Sequence, residues 1–226
     1  MSNLARLVLS DGSASVASPS PDFLPVNDLL AVSAPLLLAS QSPRRRSLLE
    51  RVGLDFRVRA SPAEESTDRA LSPRETARVF AQKKARPVAA ECPSALVLAA
   101  DTVVLHDGEL LGKPSSTAQA RRMLHRLSDT THTVYTGMAL HHANSERAVV
   151  TGRGTRVTLT DLSDAEIRAY VASGSPMDKA GGYGIQDHAG PLFVEHLEGD
   201  YYNVVGLSLH ALYRVLQEHF SDLLRD

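Results

Sequence analysis

The stretch PLLLASQSPRRRSLLERVG, which runs from Pro35 to Gly53, predicts the fold of the chain. Its apolar run Leu36–Ala39 is typical of a strand that is buried on both faces. Ser42 suits the cap of a helix, Pro43 suits the first helical position, and a glycine often ends a helix. A buried strand, a short loop and a helix in this order indicate an α/β domain.

Strands and helices alternate along the rest of the chain, so we expect a mixed, elongated sheet flanked by helices. Ser72 and Ser163 each stand three residues before a glutamate, which is the pattern of a capping box at a helix start. Pro87 is expected to kink or end the helix that follows Ser72. Segment 175–186, with three glycines and a proline, is expected to be a non-helical loop. Further strands are predicted at 56–60, 95–101, 131–142, 147–162 and 190–199, with a hairpin turn at 107–108 and a closing helix at 207–224.

Composition excludes several classes of protein. The net charge of −2 and the 5% aromatic content argue against a nucleic-acid-binding protein. A single cysteine, Cys92, excludes a disulfide framework and a cysteine-rich zinc site, and it fits a reducing cytoplasm. The apolar runs fall short of the ~20 residues that a membrane-spanning helix needs, so no membrane partner is expected. Residues 1–34 are rich in Ser, Ala, Pro and Asp, and we predict a disordered extension there.

Three consecutive arginines occupy an unfavourable place. Arg44, Arg45 and Arg46 fall in the first turn of the predicted helix, where the helix dipole disfavours positive charge. They could simply lie on a solvated helix face. Alternatively, they mark a phosphate site, because free N–H groups at a helix start point at an anion and arginines add bidentate donors. The pattern leaves both interpretations open.

Other candidate residues lie at predicted strand ends and in loops. Asp101 stands where the apolar run 95–101 ends, where it could meet a divalent metal, act as a base or cap a loop. Lys113 lies in a Gly-Lys-Pro sequence that is too short for a phosphate-binding P-loop, so it is either a phosphate contact or a surface lysine. Tyr183 and Gln186 could touch a nucleobase, or belong to a purely structural loop. Together these groups suggest a metal-dependent enzyme that acts on a phosphorylated small molecule.

Six blocks of the sequence, in this order, resemble the signatures of the Maf family of nucleoside triphosphate pyrophosphatases: LLLASQSPRRRSLLE, AADTVV, LGKP, HTVYTG, MDKAGGYGIQ and NVVGLSL. The likeness implies one Maf-like domain over residues 35–226, with a deep cleft between two lobes. It implies hydrolysis of a nucleoside triphosphate to the monophosphate and pyrophosphate with Mg²⁺ or Mn²⁺, and clearance of non-canonical nucleotides. It is also compatible with a homodimer.

The resemblance also assigns roles to residues. Asp101 would be the proton acceptor and, with Glu65, would lie at the metal. Lys84 and Lys113 would act in catalysis beside it. The substrate phosphates would be bound by Ser40, Arg44, Arg45, Asp178 and Lys179.

Substrate specificity can be read from the same resemblance. The branch that acts on 7-methyl-GTP carries Trp, Gln and Glu at the positions of Arg44, Thr102 and Gln186, so this chain resembles the dTTP and UTP branch. The alternatives are the 7-methyl-GTP activity and a nucleotide-binding regulator of cell division without catalysis. Ser208 replaces a proline of the family, and we expect an altered helix start there with activity retained.

Overall fold

The computed structural model describes residues 30–64, 66 and 71–224. The strands in these ranges are β1 (Leu36–Leu38), β2 (Arg57–Val58), β3 (Leu96–His106), β4 (Glu109–Leu111), β5 (Thr131–His142), β6 (Arg147–Leu159) and β7 (Val194–Glu198). The helices are α1 (Pro43–Arg51), α2 (Pro73–Glu91), α3 (Thr117–Leu127), α4 (Asp164–Ala172), α5 (Gly190–Phe193), α6 (Tyr201–Val205) and α7 (Leu209–His219).

The strands form one mixed sheet in the order β2-β1-β3-β5-β6-β7, and β4 folds back on β3. β1 runs parallel to β2 and β3, while β3, β5, β6 and β7 pair antiparallel. The predicted α/β class with a mixed sheet is therefore confirmed. Both capping boxes are present, at Ser72 and Ser163, and the 107–108 turn joins β3 to β4 with positive φ at both residues.

Several local predictions were wrong. β3 does not end at Asp101 but continues to His106, and the β-branched residues that follow Asp101 favour this extension. Residues 190–193 form α5 rather than a strand, because Pro191 lacks the N–H that a sheet needs and suits the first turn of a helix. The 175–186 segment is not free of helix, since it contains short 3₁₀ turns at 175–178 and 180–182. Pro87, for which a kink or an end was expected, lies inside α2, which runs on to Glu91.

Apolar side chains divide the interior into two lobes. In the first lobe, α1 and α7 pack on one face of β1, β3 and β5, with Leu38, Leu98 and Phe220 fully buried. α2 covers the opposite face of these strands. In the second lobe, α3 and α4 pack near the far ends of β3, β5 and β6, around Leu127 and Ile167. The arrangement leaves a cleft between the lobes.

A close approach of backbone fixes α2 on the sheet. Gly137 in β5 lies directly beneath α2, and a Cβ built on it would stand 2.2 Å from the carbonyl oxygen of Ala77. Its neighbour in β6, Gly152, also lies against α2, where an added Cβ would be 3.3 Å from the side chain of Arg78. Because these two glycines have no side chains, α2 packs close to the sheet. This close packing places Lys84 of α2 beside β3.

Both ends of the described chain meet. Val32 forms an isolated antiparallel bridge with Leu224, and the backbone N–H of Ser33 donates to Leu223. Most of the segment 1–34, for which disorder was predicted, falls outside the described residues. No helix in the described ranges combines the length and apolar character that crossing a membrane would require.

Candidate active site

A cleft of about 840 Å³ opens between the two lobes. It brings together every predicted site residue that the structure describes: Ser40, Arg44, Arg45, Lys84, Asp101, Thr102, Lys113, Asp178, Lys179 and Gln186. These residues come from the two lobes and from segments far apart in sequence. Glu65, the predicted second metal ligand, lies outside the described residues.

The floor of the cleft carries an ion pair. Asp101, in the middle of β3 and opposite Gly137 of β5, accepts a hydrogen bond of 2.6 Å from the ammonium of Lys84 in α2. Both side chains are largely buried, with 7% and 13% of their surfaces exposed. A buried carboxylate is costly unless it is paired and hydrogen-bonded, and Lys84 meets that need. Asp101 therefore has a fixed position at the floor of an open cleft.

Arg45 is buried and holds the loop after β1. Its guanidinium donates to the carbonyl of Gly206 at 2.9 Å, to Ser40 Oγ at 3.0 Å and to Thr102 Oγ1 at 3.2 Å. Ser40 Oγ in turn accepts from the backbone N–H of Ser42 at 3.2 Å. One guanidinium thus links α1, the loop before it, the sheet and the end of α6. A planar group with several donors can make these contacts at the same time.

Thr102 continues this chain of hydrogen bonds into the sheet. Its hydroxyl lies 3.0 Å from that of Thr136 in β5, which donates to the carbonyl of Asn203 at 2.8 Å. The hydroxyl proton of Thr136 is already donated to the carbonyl of Asn203. The Thr102 hydroxyl therefore donates to Thr136 and accepts from Arg45. The predicted specificity residue Thr102 is thereby tied to the support of the arginine loop.

Arg44 reaches across the mouth of the cleft to the other lobe. Its guanidinium donates to the Asp178 carboxylate at 2.5 Å and to the Asp178 carbonyl at 3.1 Å. Burial alone would raise the pKa of Asp178, but the hydrogen bond from Lys179 and the charge of Arg44 hold that pKa below its usual value. The first turn of α1 carries no side-chain cap from Ser42, and Ser42, Pro43 and Arg44 all line the cleft. A helix start of this kind attracts anions.

Lys179 is buried in the second lobe. Its ammonium donates to the carbonyl of Ser175 at 2.5 Å and to Asp178 at 2.7 Å, and it lies 3.3 Å from Asp187. The Asp187 carboxylate also accepts from Tyr170 at 2.8 Å. Lys179 is therefore part of a polar network that shapes the loop, and its predicted phosphate contact stays a prediction.

The remaining predicted residues lie on the rim of the cleft. Lys113 is exposed, and the carbonyl of its neighbour Gly112 accepts from Gly181 in the glycine-rich loop at 3.1 Å. Gln186 is exposed in the turn that ends this loop. Ser208 caps α7 by accepting from the N–H of Ala211, so the altered helix start is a serine cap.

Tyr183 is anchored from below by a buried histidine. Its hydroxyl lies 2.6 Å from His132 Nε2, and His132 Nδ1 is buried without a partner among the described residues. Burial, and to a lesser extent His106, lowers the pKa of His132 to about 4. The folded protein thus keeps this imidazole neutral, while the unfolded chain protonates it near pH 6.5.

This difference in pKa predicts acid sensitivity. The contribution of a neutral His132 is complete above pH 6.5 and is lost as the pH falls from 6.5 to 4, so the free energy of unfolding drops by about 3 kcal/mol over this interval. Urea denaturation of the wild type and of His132→Gln, at several pH values, should show the stability gap between them shrinking on acidification. A gap for His132→Gln that stays constant over this interval would contradict the prediction.

The donor set of the cleft fits a hard divalent ion that shares its ligands with a substrate. In the described part of the chain, no three His, Cys, Asp or Glu side chains are grouped to hold a metal. Asp101 and Asp178 nevertheless supply carboxylate oxygens to the cleft lining. Mg²⁺ usually binds through one or two carboxylates together with substrate phosphates.

The sequence alone did not indicate the support of the site. Asp187, Tyr170 and Ser175 form the network around Lys179, and Gly137 lets α2 bring Lys84 to Asp101. The only available signal was their position inside or beside the glycine-rich segment and the YTG sequence of β5.

Comparison with known proteins shows the family of this chain. The family described as Maf-like protein matches residues 35–219, which is most of the chain and includes every cleft residue discussed above. The chain belongs to the Maf family. The resemblance found in the six sequence blocks is thereby confirmed.

Relatives within the family are close. The dTTP/UTP pyrophosphatase of Salinibacter ruber is 63% identical over 199 residues, which cover 88% of this chain and 98% of that protein. The dTTP/UTP pyrophosphatase of Moorella thermoacetica is 53% identical over 174 residues, which cover 77% and 89%. The structure of the Staphylococcus aureus Ham1 protein aligns with 81% of this chain and 98% of its own, at 15% identity and a TM-score of 0.48.

Proposed function

We propose that this Maf protein is a nucleoside triphosphate pyrophosphatase that hydrolyses dTTP and UTP to the monophosphate and pyrophosphate. The observation that carries the proposal is the Lys84–Asp101 pair, placed on the floor of a cleft whose rim holds a helix start and several cations. A triphosphate fits this distribution of charge, because the Asp101 carboxylate on the floor can accept a proton from a water while the cations on the rim bind the phosphates. The names of both relatives support the same activity.

In the proposed reaction, a water attacks the α phosphorus. A bond forms from the water oxygen to phosphorus, the bond to the bridging oxygen of pyrophosphate breaks, and Asp101 accepts the proton. Lys84 holds Asp101 in place, and Arg44 and Lys113 neutralise the charge that grows on the leaving pyrophosphate. Asp101 and Glu65 would hold the Mg²⁺ or Mn²⁺, which supplies further neutralisation of the phosphates.

We assign Arg45 a positioning role rather than a direct phosphate contact. Its contacts with Gly206, Ser40 and Thr102 fix the loop in front of α1, so it prepares the helix start that receives the phosphates. Ser40 takes part in the same support. Arg44, with 21% of its side chain exposed, is the arginine that can turn from Asp178 to a substrate.

Arg45→Lys tests this assignment. A lysine has one nitrogen and cannot reach three acceptors that lie in the plane of a guanidinium, so we expect kcat/KM for dTTP to fall by about 10-fold or more. The free energy of unfolding should fall by about 1–3 kcal/mol, because buried acceptors lose their donors. Arg46→Lys, on the exposed side of the same turn, is the matched control and should change neither quantity. Equal behaviour of the two variants would contradict a special role of Arg45.

The proposed activity is tested with a panel of nucleoside triphosphates. Purified protein is incubated with Mg²⁺ or Mn²⁺ and with dTTP, UTP, CTP, GTP or 7-methyl-GTP, and the monophosphate and pyrophosphate are quantified by chromatography. We expect dTTP and UTP to be cleaved fastest, and chelation of the metal to stop the reaction. Preference for 7-methyl-GTP would favour the other branch of the family, and binding without cleavage would favour a non-catalytic regulator.

The cellular setting follows from the proposed chemistry. A pyrophosphatase of this kind would act in the cytoplasm on free nucleotides, including non-canonical ones. A homodimer is a further expectation, and light scattering of the purified protein would test it.

A further inference from the structure

Thr136 of β5 carries a buried hydroxyl that the proposed reaction does not use. It stands directly opposite Thr102 in the pairing of β3 with β5, and only 3% of its surface is exposed. In the described structure it does not belong to the cleft lining. A buried hydroxyl needs hydrogen-bond partners, and Thr136 has two: the hydroxyl of Thr102 at 3.0 Å and the carbonyl of Asn203 at 2.8 Å.

The hydrogen bonds around Thr136 all run in one direction. A guanidinium only donates, a carbonyl only accepts, and a hydroxyl has one proton to give. Arg45 begins the series by donating to Thr102. Thr102 then donates to Thr136, and Thr136 donates to the carbonyl of Asn203. Thr136 therefore keeps the proton of Thr102 turned away from Arg45, so that Thr102 presents an acceptor to the guanidinium.

Both ends of this series are attached to α6. Asn203, which accepts the last hydrogen bond, lies in α6, and Gly206, the residue after α6, accepts from Nε of Arg45 at 2.9 Å. The side chain of Asn203 is fully buried and fixes α6 on the sheet, because Nδ2 donates to the carbonyl of Val134 and to the hydroxyl of Thr155, each at 3.0 Å. The series thus closes into a ring that holds Arg45 from two sides.

We infer that Thr136 is a positioning residue for the phosphate-binding helix start: it orients the hydroxyl of Thr102, which in turn holds the guanidinium of Arg45 and the loop before α1. The inference rests on the proposed function, in which the start of α1 receives the substrate phosphates. It extends the site to a residue of β5 that lies behind the cleft, and whose effect on the phosphates passes through two other side chains.

The experiment measures KM and kcat for dTTP and UTP in Thr136→Val, which keeps the shape of the side chain and removes its hydroxyl. We expect KM to rise about 10-fold, the change that corresponds to one hydrogen bond of ordinary strength, with a smaller change in kcat. A loss of folded protein alone would lower the apparent kcat and leave KM unchanged, so the rise in KM separates positioning from folding. Thr136→Ser retains the hydroxyl and should keep the KM of the wild type.

Thr131→Val is the matched control. Thr131 also lies in β5 and also pairs its hydroxyl with that of a threonine across the strand, Thr158 at 2.8 Å, but this pair is at the surface. The control should leave KM unchanged. Thr102→Val breaks the hydrogen bond to Thr136 from the other strand and supplies a second variant with the same expected rise in KM. Adding Thr136→Val to Arg45→Lys should raise KM no further, because both changes release the same guanidinium contact.

Calorimetric titration measures the same effect without turnover. The probe is a UTP analogue in which an N–H replaces the oxygen between the α and β phosphorus atoms, and its affinity should fall in Thr136→Val by the same factor as KM rises. An unchanged KM and affinity in Thr136→Val, or an equal loss of affinity in Thr136→Ser or Thr131→Val, would overturn the inference. A wild type that binds the analogue and cleaves no nucleotide would refute the proposed function, while the measured affinities would still decide the role of Thr136.

Discussion

Asp101→Asn is expected to lower kcat/KM for dTTP and UTP by a factor of about 10² to 10⁴, the range that a positioned general base contributes. The amide has nearly the same shape and still accepts the hydrogen bond from Lys84, whose 2.6 Å contact fixes the site. It cannot take up a proton from the attacking water. The loss should therefore appear in kcat with both Mg²⁺ and Mn²⁺, measured by monophosphate release at saturating substrate.

A matched variant separates catalysis from folding. Asp222→Asn changes another ion-paired carboxylate, which Arg147 binds at the surface and which is not part of the cleft lining. It should keep wild-type turnover. Circular dichroism should show that Asp101→Asn is folded. Turnover of dTTP by folded Asp101→Asn within a few-fold of the wild type would refute the assignment of Asp101 as the base.

The alternation of strands and helices could be predicted from the sequence, because strands and helices differ in the spacing of their apolar residues and in the residues at their ends. The capping boxes at Ser72 and Ser163 and the Asp107-Gly108 turn are local features, and the structure contains all of them. Asp101 shows the limit of this kind of interpretation. A carboxylate in an apolar run suggested a strand end, but the strand continues through Asp101, and Lys84, seventeen residues away in sequence, pairs with the buried charge.

The three arginines show a second limit. In the sequence they are equivalent neighbours, but successive residues of a helix point about 100° apart. Arg44 therefore faces the cleft mouth, Arg45 faces the interior and Arg46 faces solvent. Which of the three directions holds buried acceptors depends on α6 and β3, which are distant in sequence. The charge that looked unfavourable at the helix start is thus divided between a structural contact, a contact across the cleft and water.

The loop at 175–187 could be predicted only as a glycine-rich segment. Its shape depends on Tyr170 of α4 and on Asp187, which lies just beyond the stretch that looked functional. Polar networks of this kind have no period in the sequence. Their members become visible only when the fold brings them together, so the residues that hold a site are harder to predict than those that line it.

Gly137→Ala should destabilise the protein by about 3 kcal/mol or more, because the new methyl carbon would lie 2.2 Å from the backbone oxygen of Ala77 and α2 must move to admit it. α2 also carries Lys84, and a displacement of about 1 Å at a catalytic group can cost about 10²-fold in rate. We therefore expect urea denaturation to show the lost stability and the folded fraction to show reduced kcat for dTTP.

Two controls identify the cause of this effect. Gly112→Ala, where an added Cβ meets nothing within 4 Å, should leave the free energy of unfolding within about 1 kcal/mol of the wild type. Ala77→Gly added to Gly137→Ala should not restore stability, because the colliding atom is the backbone oxygen and not the side chain of Ala77. Full stability of Gly137→Ala would mean that α2 does not need the bare backbone of β5. The close packing of α2 on β5 would then not be what brings Lys84 to Asp101. The inferred dependence of the Lys84–Asp101 ion pair on Gly137 would be refuted.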